Sequence, residues 1–345
     1  MSFAAFQLLD PSVFLSLAFL FGIAAQFRAM EGESFLRRVI TSAEGRVGIL
    51  YAVVLVTSLF SPLILNDVVV IILTPVIIRY SKQHRVDIAP LVVAEITFTN
   101  IASSLTPLGN PQNILLWTAS NVTFVQFVAG TWIPVLASGL IAALAIFPLR
   151  RKTKGAGVEE RDSGRTVSRI PALYLAMVIL VIILSDVSGL AASFSLGISF
   201  VLGFIFTIRR ARKVAGEFDL KSLLTLYFFV GSVIIVSALI GPTLAQYAAP
   251  VAEGVQPYSA LFVGGVSSVI SNVPATQLIL SAVPISALAA PRIAVEAGLA
   301  GNIDPISSFA NLLALLMVRR AGLPIRRAIL LQFVVGILAF LPALI

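Results

Sequence analysis

Apolar residues run along this chain in long blocks, with neither the alternation of a half-buried strand nor the single stripe of a surface helix. Blocks near 11–27, 123–147, 170–187, 189–208, 222–240 and 328–345 approach the roughly 20 residues that a helix needs to cross a bilayer. Four further apolar stretches are interrupted. Stretch 48–80 contains Pro62 and Asn66-Asp67, and 90–117 contains Thr106-Pro107-Leu108-Gly109-Asn110-Pro111. Stretch 259–288 contains Asn272-Val273-Pro274, and 292–318 contains Gly301-Asn302-Ile303-Asp304-Pro305.

Each arm of 48–80 or 259–288 has about 15 residues, or roughly 22 Å of helix, against a hydrocarbon core of about 30 Å. We therefore read these two stretches as re-entrant hairpins and 90–117 and 292–318 as broken crossing helices. The predicted fold is an all-α membrane protein with about eight crossing helices and two hairpins. Its parts are a first repeat, 1–147; a basic cytoplasmic linker, 148–169; extra scaffold helices, 170–208; and a second repeat, 209–345.

Charge tests this order. Under it, 23 of the 24 Lys and Arg residues fall in cytoplasmic segments and only Arg292 falls outside, a strong positive-inside bias. The same parity would hold if 48–80 crossed twice, so charge alone does not separate a hairpin from two crossings. The polar Asn66-Asp67 turn favours the hairpin, because a polar pair at depth needs a function to justify its desolvation. Both termini are predicted outside. The first run continues into Arg28 without the cleavage pattern of a secretory leader, and we read it as a retained helix.

Composition agrees. The chain is 58% hydrophobic and 12% charged over 345 residues, whereas soluble domains run at about 45–50% apolar and about 25% charged. No cysteine is present, so disulfides, thiolate metal sites and cysteine nucleophiles are excluded. The single histidine, His84, lies in a polar run and offers no catalytic dyad. The net charge of +8 is spread over the loops and gives no reason to expect nucleic acid.

The two halves repeat. Residues 103–113 (SSLTPLGNPQN) overlay 301–311 (GNIDPISSFAN) at an offset of 198, matching Pro107 with Pro305 and Asn113 with Asn311. The hairpins overlay at an offset of 206, with Ser61 and Asn66 matching Ser267 and Asn272. One hairpin opens from each side, so the repeats are inverted, an architecture shared by many secondary transporters.

Irregular backbone at membrane depth is tolerated only where protein or a watery cavity satisfies it, so both tips and both breaks should meet around one site. The breaks at Pro107 and Pro305 free carbonyls and amides. Candidate substrate contacts are Asn66, Asn100, Ser103, Thr106, Gly109, Asn110 and Asn113 in the first repeat. In the second they are Ser271, Asn272, Thr276, Ser307, Ser308 and Asn311. Oxygens of Asn66, Asn272 and Asn302, with the carboxylates of Asp67 and Asp304, are candidate ligands for a coupling ion, sodium or a proton; no resident metal or other cofactor is expected. An aspartate at the bilayer centre costs about 2.5–3.5 kcal/mol on insertion scales, which makes Asp67 and Asp304 the sharper signals. Glu95, one turn past Pro90, suits an interfacial or a functional position equally. No Lys or Arg lies at predicted mid-depth, so an anionic substrate would be held by dipoles, amides and a co-bound cation.

Asn66-Asp67 with Leu73-Thr74-Pro75, then 106–113 (TPLGNPQN), then Ser271-Asn272-Val273-Pro274-Ala275 resemble the ion transporter superfamily. That superfamily includes divalent anion:sodium symporters, citrate transporters, arsenite permeases and some sodium/proton antiporters, and the resemblance covers about 47–345. It implies tip positions for Asn66 and Asn272, elevator-like alternating access and a homodimer in a prokaryote-like plasma membrane. The dicarboxylate branch carries Ser-Asn-Thr at both tips. Here the tips read Leu65-Asn66-Asp67 and Ser271-Asn272-Val273, which moves the balance toward arsenite-permease-like members. The expected function is cation-coupled transport of a small inorganic or organic anion. A sodium/proton antiporter is the alternative, a passive channel is less favoured, and an enzyme is not expected.

Overall fold

The computed structural model describes residues 11–153 and 168–345, and every regular element among them is a helix. The core of the predicted linker, together with residues 1–10, lies outside the described residues. The protein is an all-α membrane protein. Among the described residues four segments are long and apolar enough to cross a bilayer (Phe124–Arg150, Ile170–Val187, Ala192–Glu217 and Arg326–Leu344), and a bent pair at the N-terminal end makes a fifth when counted as one span.

That pair is α1 (Pro11–Ala29) and α2 (Gly32–Val47), which meet at 68°. The bend is built by Glu31, whose φ of 66° stops the helix, and by Gly32, where an added Cβ would lie 2.4 Å from the Phe27 ring. The sequence reading made this region a connecting segment. It is helical because Leu36 and Ile40, four residues apart, share a face that is buried, while Arg37 and Glu33 stay on the polar side.

Next come α3 (Ile49–Phe60) and α4 (Asn66–His84), joined by a five-residue turn, then α5 (Ile88–Ser103) and α6 (Pro111–Ser120), separated by Ser104 to Asn110. Asp87 caps α5 by accepting from the Ala89 amide at 3.0 Å, and Pro111 starts α6 where a missing N–H costs nothing. Helix α7 (Phe124–Ile146) opens on a Thr123/Gln126 capping box, and α8 (Ile170–Val187), α9 (Ala192–Thr207) and the short α10 (Ala211–Glu217) follow.

Helix α11 (Leu220–Ala252) has 33 residues and outruns the 222–240 read from sequence, passing through Gly241-Pro242. Shifted by the hairpin offset of 206, it corresponds to 14–46, the span of α1 and α2 together. The second half continues with α12 (Tyr258–Ile270), α13 (Asn272–Ala282), α14 (Ala289–Ala300), α15 (Phe309–Arg320) and α16 (Arg326–Phe340).

Packing exchanges partners between the halves. The first arm of each hairpin lies on the first half of its own broken helix: α3 on α5, and α12 on α14. The second arm lies on the second half of the other broken helix: α4 on α15, and α13 on α6. Likewise α16 packs on α5 and α7 on α14. Helix α5 is buried along its entire length and α14 nearly so, with only Arg292 exposed. By contrast α7 presents Trp132, Ile133, Leu136, Leu140 and Leu144 outward, as a lipid-facing helix does.

Candidate functional site

Each break is closed by one asparagine. Asn113 Nδ2 donates to the carbonyls of Ser103 and Thr106, both at 2.8 Å. Asn311 Nδ2 donates to those of Gly301 and Asp304 at 2.5 and 3.0 Å. These four carbonyls are the groups that a helix break orphans, and all pairs are related by the offset of 198. The turns inside the loops also correspond: Thr106 Oγ1 accepts from the Leu108 amide at 3.2 Å, and Asp304 Oδ1 accepts from Ile306 and Ser307 amides at 2.7 and 2.9 Å.

Both hairpin tips dock on these loops through one backbone bond. The Asn66 amide donates to Gly109 O at 2.9 Å and the Asn272 amide to Ser307 O at 3.1 Å, again at offsets of 206 and 198. Thr106 adds a hydroxyl bond to Pro62 O, and Ser271 Oγ donates to Ser307 O at 3.3 Å. Gly109 is required, since a Cβ there would lie 2.2 Å from Ser103 O. With its amide reversed, Asn272 donates to Ala297 O at 3.1 Å as well, tying the tip to α14.

Asn100 joins the halves. From α5 its Nδ2 reaches Gly301 O at 3.2 Å, Asn302 Oδ1 at 3.1 Å and Asn311 Oδ1 at 2.8 Å, while its Oδ1 accepts from Ser308 Oγ at 3.0 Å. Three oxygens thus converge on a nitrogen that has two hydrogens. The position equivalent to Asn100 is Gly298, where a Cβ would meet Ser104 Oγ at 1.9 Å, so α5 and α14 cross at close range.

The predicted site residues therefore fall into three bonded groups. Asn66, Thr106, Gly109 and Asn113 form the first, and Ser271, Asn272 and Ser307 the second. Asn100, Asn302, Ser308 and Asn311 form the third, and all four are buried. Ser103 Oγ turns back to Asn100 O at 3.1 Å, Asn110 is buried at the start of α6, and Pro107 and Pro305 lie within the breaks. Asp67 is half-buried in the first turn of α4, where the helix dipole favours an anion. Asp304 is half-buried, with one oxygen engaged in its loop.

Several buried polar atoms have no protein partner: both amide atoms of Gln112, Thr276 Oγ1, Asn113 Oδ1 and Asn302 Nδ2. Gln112 lies on α6 and Thr276 on α13, helices that pack together across the repeats. Their counterparts are Ala310 and Val70, so this polar pair is one-sided. Residues 2–314 match the model of the citrate transporter family. The chain belongs to that family.

Relatives of this citrate transporter family member carry transporter or membrane-protein names. The inner membrane protein YbiR of Escherichia coli is 31% identical over 294 residues, 83% of this chain and 73% of its own. The uncharacterized transporter MJ0456 of Methanocaldococcus jannaschii is 28% identical over 322 residues, 90% of this chain and 82% of its own. A shorter match, 32% over 98 residues, joins 28% of this chain to 20% of the silicon efflux transporter LSI3 of Oryza sativa. The protein is an integral membrane transporter.

The sequence leaves Glu95 open between an interfacial and a functional position and does not single out Glu296. Glu95 is fully buried, which a residue snorkelling to an interface would not be, and accepts from Thr74 Oγ1 at 2.9 Å. Glu296, also buried, accepts from Gln256 Nε2 at 2.6 Å and Ser259 Oγ at 2.8 Å. Glu296 was hidden inside an apolar block. In the structure each is the eighth residue of a broken helix's first half, but at the offset of 198 Glu95 aligns with Ile293 and Glu296 with Phe98, so the repeat in the sequence does not pair them.

Proposed function

We propose that this protein is a secondary transporter that moves a small weakly acidic solute, coupled to sodium or protons, by alternating access of its two inverted repeats. The observation that carries this reading is the duplicated tip-to-break bond, Asn66 to Gly109 and Asn272 to Ser307, with unpartnered polar groups close by in sequence. Two equivalent gates on one centre are what alternating access needs.

Solute chemistry follows from the donors. No buried side chain among those described is Lys or Arg. Gln112 leaves a donor and an acceptor open together, which suits a hydroxylated solute better than a dianion that only accepts. An inorganic oxyacid of the arsenite or silicate kind fits first and a carboxylate second. The silicon efflux name of one relative points the same way. Asp67 and Asp304 retain partial exposure and serve as candidate sodium ligands with the oxygens of Asn66, Asn272 and Asn302. We further propose a homodimer in the plasma membrane with basic loops cytoplasmic.

The test is a flux screen on purified protein in liposomes, over arsenite, silicate, phosphate, sulfate, citrate and dicarboxylates, with sodium or pH gradients imposed. Gradient-dependent movement of one of these solutes is expected. Sodium/proton exchange with no solute moved would replace the reading by a cation antiporter.

A further inference from the structure

Glu95 sits halfway along α5 with no exposed surface. Thr74 Oγ1 donates to its Oε1, and Oε2 is buried without a partner. The ion pairs among the described residues are Arg28 with Glu217, Arg210 with Glu31, and Arg327 with Asp87; none includes Glu95.

The elements packed on α5 are α3, α4, α7, α14, α15, α16 and the turn after α7. Helix α7 carries no charge. The others bring Tyr51 from α3; Asp67, Arg79, Tyr80, Lys82 and His84 from α4; Arg292 and Glu296 from α14; Arg319 and Arg320 from α15; Arg326 and Arg327 from α16; and Arg150. Arg327 is held by Asp87, two turns or about 12 Å before Glu95 along α5. Asp67 is about 10 Å before Thr74 along α4, and Arg79 is more than a turn beyond it.

An ionised carboxylate left dry and without a cation carries a desolvation penalty of several kcal/mol, whereas a neutral carboxyl with a hydroxyl neighbour is tolerated. A hard cation would need several oxygens in place of one hydroxyl. The neighbouring hydroxyl precedes Pro75, whose missing N–H breaks the ladder of α4 at this level and lets the contact loosen. Five residues further along α5 is Asn100, so Glu95 lies on the same buried helix as the residue that joins the two halves.

We propose that Glu95 is the residue that binds and releases a transported proton, resting on the transporter reading above. In the arrangement described here the carboxyl holds the proton and shares a hydrogen bond with Thr74, whose hydroxyl both accepts and donates. When the α4–α5 contact opens to water, the proton leaves to water and the carboxylate is solvated. Glu296 supplies the contrast: both its oxygens are bonded and Arg292 lies one turn before it, so it is a holding residue at the hairpin base.

The test has two arms on the full protein. Infrared difference spectra across a pH step should show a protonated-carboxyl band that is lost in Glu95→Gln and kept in Glu296→Gln and Asp67→Asn. Thr74→Val, which leaves the acid in place, should shift that band and its pH midpoint. In liposomes, arsenite and citrate serve as probe solutes. There Glu95→Gln should lose at least tenfold of pH-driven uptake while keeping solute exchange at equal pH. A band retained in Glu95→Gln overturns the assignment whether or not any solute moves, and so does undiminished pH-driven uptake. Absence of flux in the wild type with the band lost as expected would count against the transporter reading alone.

Discussion

Replacing Asn311 by leucine keeps the volume roughly constant and removes three hydrogen bonds at the centre: those to Gly301 O and Asp304 O, and the one accepted from Asn100. Side-chain hydrogen bonds within membrane proteins average about 0.6 kcal/mol and reach about 1.7. Three such bonds come to about 2 kcal/mol, with about 5 kcal/mol as the ceiling. The lower figure is favoured because Gly301 O still receives Ser307 Oγ and Asp304 O still receives Gln332 Nε2. Combining it with Asn100→Leu should recover about 0.5–1.5 kcal/mol, since the shared bond is then lost only once. Reversible unfolding in mixed micelles measures all four corners of the cycle. Strict additivity, or a single-variant cost below about 0.5 kcal/mol, would refute the claim that Asn100 and Asn311 hold the two repeats together.

Other outcomes follow from the same geometry. Gly109→Ala should destabilise by about 1–3 kcal/mol, because its Cβ meets backbone that no rotamer change relieves, whereas Gly139→Ala, with its nearest neighbour at 4.0 Å, should be neutral in the same unfolding assay. Asp304→Asn keeps an acceptor for the Ile306 and Ser307 amides, so the variant should fold and insert normally and lose sodium dependence of flux; retention of wild-type dependence would make Asp304 structural. Single cysteines at Asn121 and Glu253 should react with an impermeant maleimide from outside and one at Gln83 from the cytoplasm; labelling of Asn121 only from inside would break the assigned topology.

The breaks and hairpin tips were legible because proline, glycine and asparagine inside apolar blocks contradict an unbroken helix locally. Helix α2 was not: its arginines and glutamates resemble a loop until Leu36 and Ile40 are seen to share a buried face. The continuation of α11 was concealed by Gly241-Pro242, which resembles a stop signal but lies inside the helix. Asn100 was recognisable as a polar residue at depth, yet its reach into the opposite break depends on how closely α5 crosses α14, and that distance is set by Gly298 through tertiary packing. Asp67 and Asp304 stood out in the sequence because each interrupts an apolar stretch at predicted membrane depth. The drier carboxyls, Glu95 and Glu296, needed the packed structure to show that neither reaches the surface.

Uphill movement of solute distinguishes a coupled two-gate transporter from every passive alternative. Purified protein in sealed liposomes, supplied with the solute found by screening at equal concentration on both sides and with a sodium or proton gradient, should accumulate that solute above its equilibrium level. Collapse of the gradient by an ionophore should release it. Flux that only equalises concentrations under every imposed gradient would contradict the account.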